Sequence, residues 1–133
     1  MDIQGYVRDG SDFGKKKYWN PPEEVVNSIF CLKGTSEELL YIPSSFLESQ
    51  KQKILIETKG QLGCEIFIRG KHRAIHPSRI VDTNDTIGAG DTFFAYFISE
   101  YIRKQNVQMS AVYATEETRK FLDARMHSPY RLE

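Results

Sequence analysis

Between Asp85 and Phe93 the chain reads Asp-Thr-Ile-Gly-Ala-Gly-Asp-Thr-Phe, three small residues leading straight into a helical pattern. Small residues let a backbone turn sharply and approach a ligand closely, with amide hydrogens directed outward. A helix N-terminus adds partial positive charge, so Gly88, Ala89 and Gly90 favour a phosphate or another oxyanion. Asp91 falls in the first helical turn, beside the place such an anion would occupy. A carboxylate there repels a bound phosphate, and a purely structural design would more often use Ser or Thr. Two readings follow. Either Asp91 complements the helix dipole and the glycines make a turn, or Asp91 takes a proton from a hydroxyl that attacks phosphorus.

With 133 residues the chain has room for about one domain. Apolar residues make up 40% and aromatics 12%, which excludes a disordered tail. Lys plus Arg is 18 and Asp plus Glu is 18, so the formal net charge is zero. A neutral chain lacks the electrostatic footprint for bulk nucleic-acid or anionic-membrane binding. The richest apolar stretch, Phe93 to Ile98, is far shorter than the roughly 20 residues that span a bilayer. The opening Met-Asp-Ile-Gln-Gly lacks the basic and apolar regions of a signal peptide, so the expected location is cytoplasmic. Cys31 and Cys64 are far apart and read as small core residues of a reducing compartment. His72, His76 and His127 share no ligand spacing.

Strand and helix patterns alternate, which argues for an α/β layered fold with a largely parallel sheet. Asp2 to Val7 reads as a short strand. Asn20-Pro21-Pro22-Glu23-Glu24 reads as a helix start, with Asn20 as cap and acids facing the dipole. Ile29 to Lys33 reads as a strand, Ser36 to Ile42 as a short helix, and Ser44 or Ser45 as the cap of a further helix through Gln50. Lys53 to Glu57 reads as a buried strand, and a hairpin is expected around Gly70-Lys71. Phe94, Phe97, Ile98 and Tyr101 form the apolar face of the helix ending near Lys104. A last helix covers Met109 to Ala124.

The stretch Asp85 to Phe93 closely resembles the C-terminal signature of the ribokinase, or PfkB, family of carbohydrate and nucleoside kinases: Asp-Thr, then Gly-Ala-Gly-Asp, then Phe, in order and without a gap. Thr58-Lys59-Gly60-Gln61-Leu62-Gly63 resembles the family's T-x-G-x-x-G turn, also at a fitting distance upstream. The resemblance implies a ribokinase-like three-layer α/β sandwich. Residues 1–133 would be its C-terminal half, a partly parallel sheet with helices on its faces that binds nucleotide and carries catalysis. It implies transfer of the γ-phosphoryl group of ATP to an alcohol of a sugar, polyol or nucleoside, with Asp91 as base and Gly88, Ala89 and Gly90 as the anion hole. Thr58, Gly60, Gly63, Thr86 and Thr115 would contact nucleotide. Glu38 would serve a magnesium network, Asp85 a monovalent-cation site for potassium, and Arg8 the phosphate or substrate.

Departures are visible. Thr35-Ser36-Glu37-Glu38 aligns with the family's N-x-x-E motif, but Thr35 replaces the Asn, and a helix-capping role for Glu38 stands beside the metal role. Thr115 replaces an Asn that many members place near the adenine. Family members are more than twice this long, and the resemblance puts the sugar-binding residues and lid in an N-terminal half with no counterpart here. A fragment, a truncated frame and one half of a split enzyme all stand open, as does a homo-oligomer. So does a non-catalytic nucleotide-binding module. The edge left by the absent strands is expected to be exposed.

Overall fold

The computed structural model describes residues 1–12 and 14–127. A helix α1 (Glu23–Ser28) leads into β1 (Cys31–Thr35), and a 3₁₀ turn (Glu38–Tyr41) into α2 (Ser44–Lys51). Next come β2 (Ile54–Thr58), a second 3₁₀ turn (Gly60–Leu62), β3 (Cys64–Ile68) and β4 (Lys71–Ile75). Two long helices follow, α3 (Ala89–Lys104) and α4 (Val107–Met126). The sheet order is β1-β2-β3-β4. Two compact units emerge, one of Met1–Thr58 with Glu65–Arg73, the other of Lys59–Cys64 with the chain from Ala74 onward.

In the first unit β1 and β2 run parallel, with Cys31 opposite Ile54 and Thr35 opposite Thr58. Both strands are buried through their centres, as expected of parallel strands covered on both faces. Ile3, Val7, Ile29, Leu32, Leu39, Ile42, Phe46 and Leu55 make the core. Gly34 must be small, because a Cβ there would lie 2.9 Å from the Ile3 side chain. Trp19 stacks on Tyr6 and meets Phe46 edge-on, with centroids 4.4 and 5.9 Å apart. Both cysteines are free thiols; Cys64 is buried, and burial pushes the half-buried Cys31 up to about 11.

Several expected elements shift. Asp2 to Val7 gives one parallel bridge, Asp2 to Lys33, and then a turn. Ile3 donates its amide to Lys33 O at 3.0 Å and Lys33 donates to Met1 O at 2.8 Å, so these residues cover part of the β1 edge expected to be bare. Asn20 caps nothing: α1 begins after Pro22, whose extended backbone presents its carbonyl to Val25 and Val26. Glu23 and Glu24 do occupy the first turn. The hairpin turns at Arg69-Gly70, with φ of 50° and 81°, the pair of positive values that a two-residue connection between twisted strands requires.

In the second unit α3 and α4 pack together. The face of α4 that is buried carries Ser110, Ala111, Ala114, Thr115, Thr118 and Leu122, mostly small side chains that permit close approach. Asn106 caps α4 by accepting the Met109 amide at 2.8 Å. On α3 the buried positions are Ala89, Phe93, Phe97 and Glu100, while Ile98 is 43% exposed. The helix is rotated from the expected face, so Phe97 alone of the four expected core residues is fully buried, with Phe94 and Tyr101 half-buried. Among the described residues no helix is long and apolar enough to cross a membrane.

Candidate functional site

The loop that enters α3 lies in the second unit with the helix it feeds. Thr83 is buried, and its hydroxyl accepts the Asp85 amide at 3.0 Å, which starts the turn. Gly88 is the N-cap of α3 at φ 83° and ψ −4°, a left-handed conformation. A Cβ on Gly88 would meet only ordinary contacts, Phe121 at 3.8 Å and Arg125 at 3.9 Å, so the requirement for Gly is conformational and not spatial. Ala89 donates its amide to Thr86 O at 3.0 Å, and Thr92 donates to Gly88 O at 2.9 Å. The Gly90 and Asp91 amides have no acceptor among the described residues. They are the open donors at the positive end of a 16-residue helix.

Of the expected Gly88, Ala89 and Gly90 donors, one is engaged locally. The Ala89 amide is used inside the loop, whereas the amides of Gly88, Gly90 and Asp91 have no acceptor among the described residues. Asp91 is exposed in the first turn, so its carboxylate is on the surface next to these donors. Asp85, Thr86, Gly88, Ala89, Gly90 and Asp91 are therefore gathered at one helix start.

The Gly-rich turn after β2 is built differently. Gly60 has φ 60° and open space around it, whereas Gly63 has φ 103° and a Cβ there would lie 2.0 Å from Ile75 O. Lys59 donates its amide to Gly63 O at 2.9 Å, closing the turn. Thr58, in the first unit, is buried at the end of β2, with its hydroxyl 3.5 Å from Gly34 O. Thr115 is 4% exposed, and its hydroxyl lies 3.8 Å from Cys64 Sγ, so it faces the interior of the second unit.

Glu38 and Arg8 belong to the first unit. Glu38 Oε1 accepts the Thr35 amide at 2.9 Å while Thr35 Oγ1 accepts the Glu38 amide at 3.1 Å. That reciprocal pair is a capping box, the alternative left open for these residues. The Glu38 side chain is buried and committed to it. Arg8 sits in an isolated antiparallel bridge to Lys16. Among the described residues no three His, Cys, Asp or Glu groups converge on a metal position. A magnesium ion that arrives with phosphates needs no such cage, since it takes much of its shell from them and from water.

Arg125, which sequence reasoning passed over, meets the loop from the last turn of α4. Its Nη1 donates to Asp85 Oδ1 at 3.2 Å and to Ile87 O at 2.5 Å. The guanidinium also lies 4.5 Å from the centre of the Phe121 ring. An Arg in the last turn of a helix is an ordinary dipole partner, so nothing in its spacing marks it. Asp85, for which the resemblance implies a monovalent cation, thus already faces a cation. Nearby, Ser78 donates both its amide and hydroxyl to Glu116, at 2.7 and 2.6 Å, and holds that carboxyl below the usual range. Arg79 does the same for Asp123 through a hydrogen-bonded ion pair.

Comparison with solved structures places this architecture in a class. A pyrophosphate-dependent kinase of the ribokinase family, in a sulfate complex, matches with a TM-score of 0.71 at 20% identity, over 92% of this chain and 46% of its own. Arabidopsis thaliana ribokinase, complexed with ribose and ATP, matches with a TM-score of 0.58 at 25% identity, over 72% of this chain and 35% of its own. The nucleoside kinase of Methanocaldococcus jannaschii matches with a TM-score of 0.58 at 18% identity, over 89% of this chain and 44% of its own. The fold is ribokinase-like α/β, a mixed four-stranded sheet with helices. The family model of the pfkB family of carbohydrate kinases matches residues 23–116, and the chain belongs to that family. No curated protein matches it in sequence. The chain spans between a third and a half of the length of these three structures.

Proposed function

We propose that this chain is the donor-binding and catalytic portion of an ATP-dependent phosphotransferase acting on an alcohol of a sugar, polyol or nucleoside. The observation that carries the reading is the start of α3: a left-handed Gly88 cap, open Gly90 and Asp91 amides, and an exposed Asp91 carboxylate beside them. Family membership over residues 23–116 supports it. The open amides stabilise charge on the transferring phosphoryl oxygens, an interaction that strengthens as the leaving group departs. Asp91 accepts the proton of the attacking hydroxyl. A carboxylate is a weak base toward an alcohol, so the proton moves late, together with phosphoryl transfer. Magnesium, when bound with the donor, neutralises phosphate charge. The structures named above include a ribokinase complexed with ribose and ATP and a nucleoside kinase, which supports the sugar and nucleoside acceptors of this reading.

The rival reading is a donor-binding module without turnover, which the coverage of under half of each of those structures favours. Calorimetry with Mg-ATP tests the shared premise, and Asp91→Asn separates the two. Removing a positioned base costs about 10²–10⁴-fold in turnover, measured in protein that carries both halves of the fold. Mg-ATP affinity should hold or tighten, because a negative charge beside the phosphates is gone. Turnover near the parent value at saturating substrates would take Asp91 out of the mechanism.

A further inference from the structure

The Asp85 carboxylate and the Ile87 carbonyl together form an all-oxygen donor set of the kind that holds a hard cation. Here both accept from the same nitrogen, Arg125 Nη1, at 3.2 and 2.5 Å. The guanidinium is held there from behind, because its carbon packs 4.5 Å from the Phe121 ring centre, one helical turn earlier on α4. Its second terminal nitrogen would lie 3.9 Å from a Cβ at Gly88, so the same side chain borders the cap of α3. A free cation on Asp85 would share that carboxylate with a fixed positive charge, and like charges at this separation exclude each other. The residues present therefore do not fit a potassium ion.

We propose that Arg125 is a positioning residue that serves as a built-in cation. It neutralises Asp85, ties down the Ile87 carbonyl and so fixes the Asp85–Gly88 loop, making loop order independent of monovalent ions. The functional consequence rests on the reading of this loop as the anion-binding element; the claim about loop order does not.

Amide hydrogen exchange across residues 85–92 tests it on the 133-residue chain, in potassium chloride and in tetramethylammonium chloride at equal ionic strength. The parent is expected to exchange equally in both salts. Arg125→Ala should exchange about tenfold faster in tetramethylammonium chloride and regain protection as potassium is added, because the vacated donor set opens to the ion. Arg125→Lys should fall between them. Potassium-dependent slowing in the parent would overturn the proposal whether or not the variants fold, and so would unchanged exchange in Arg125→Ala. Mg-ATP calorimetry in the same two salts keeps the questions apart. Absence of nucleotide binding in both salts would remove the kinase reading alone. Normal binding with a potassium-sensitive loop would remove the Arg125 assignment alone.

Discussion

At the scale of single residues, the glycines separate into those required by conformation and those required by space. Gly88 and Gly60 hold positive φ with no close neighbour, so alanine at either should cost about 1–2 kcal/mol of strain and no more. Gly63 combines φ 103° with a carbonyl that would sit 2.0 Å from its Cβ. Gly63→Ala should therefore cost about 3 kcal/mol or more, since the Ile75 backbone has to move as well. Urea denaturation of the three variants checks the order, and equal losses at all three would show that the Ile75 contact relaxes freely. Gly90 is different again: it lies inside α3 without a positive φ, so no strained torsion calls for glycine there. These distinctions were half legible. The run of small residues is visible in sequence, but which glycine bears the strained torsion depends on the hydrogen bond from Ala89 to Thr86, which only the folded loop reveals.

At the scale of elements, local signals survived best. The starts of α3 and α2 and the buried β2 lay close to the expected positions, because small residues, proline and continuous apolar runs act over a few residues. Yet Pro43, not Ser44 or Ser45, precedes α2, and neither helix has a side-chain cap. Contacts between elements were not legible. Arg125 reaches Asp85 across 40 residues, and Ser78 reaches Glu116 across 38. Periodicity marked Ile98 as core, yet it is exposed, because burial depends on what covers a face and not on its pattern alone. The Ser78–Glu116 and Arg79–Asp123 links pin the segment after β4 to α4 and carry a pH signature. Both carboxyls are held below their ordinary range, Glu116 mainly by the Ser78 hydroxyl and Asp123 mainly by the Arg79 guanidinium. A depressed carboxyl contributes stability that is fully present above about pH 5, clear of its unfolded-state value, and is lost as pH falls through its folded-state value. Thermal midpoints measured from pH 6 down to pH 3 should fall more steeply in the parent than in the double variant Glu116→Gln, Asp123→Asn. Parallel curves would mean that these pairs do not hold α4.

At the scale of the whole chain, the proposed function raises the question of how much turnover Asp91, acting as base, could support if the acceptor site lay outside these residues. Fixing a reactant in a near-attack geometry is worth up to ~10⁵–10⁸ M in effective concentration, whereas a positioned base adds about 10²–10⁴-fold. Positioning therefore outweighs proton transfer, and on the proposed reading a chain with Asp91 but without the acceptor site would keep the smaller share of the rate. Family resemblance puts the acceptor-choosing residues in the N-terminal half of the fold, and this chain covers 35% of the length of Arabidopsis thaliana ribokinase and 46% of the pyrophosphate-dependent kinase. The expected outcome is weak Mg-ATP binding by the 133-residue chain and no measurable phosphoryl transfer to any of a panel of sugars, polyols and nucleosides. A coupled ADP-release assay reads the second part, and calorimetry the first. Adding a separately expressed N-terminal half of a ribokinase-like chain should raise turnover only if that half docks and completes the acceptor site. Robust turnover by the chain alone would show instead that the acceptor is held by residues already present, with Asp91 close enough to take its proton.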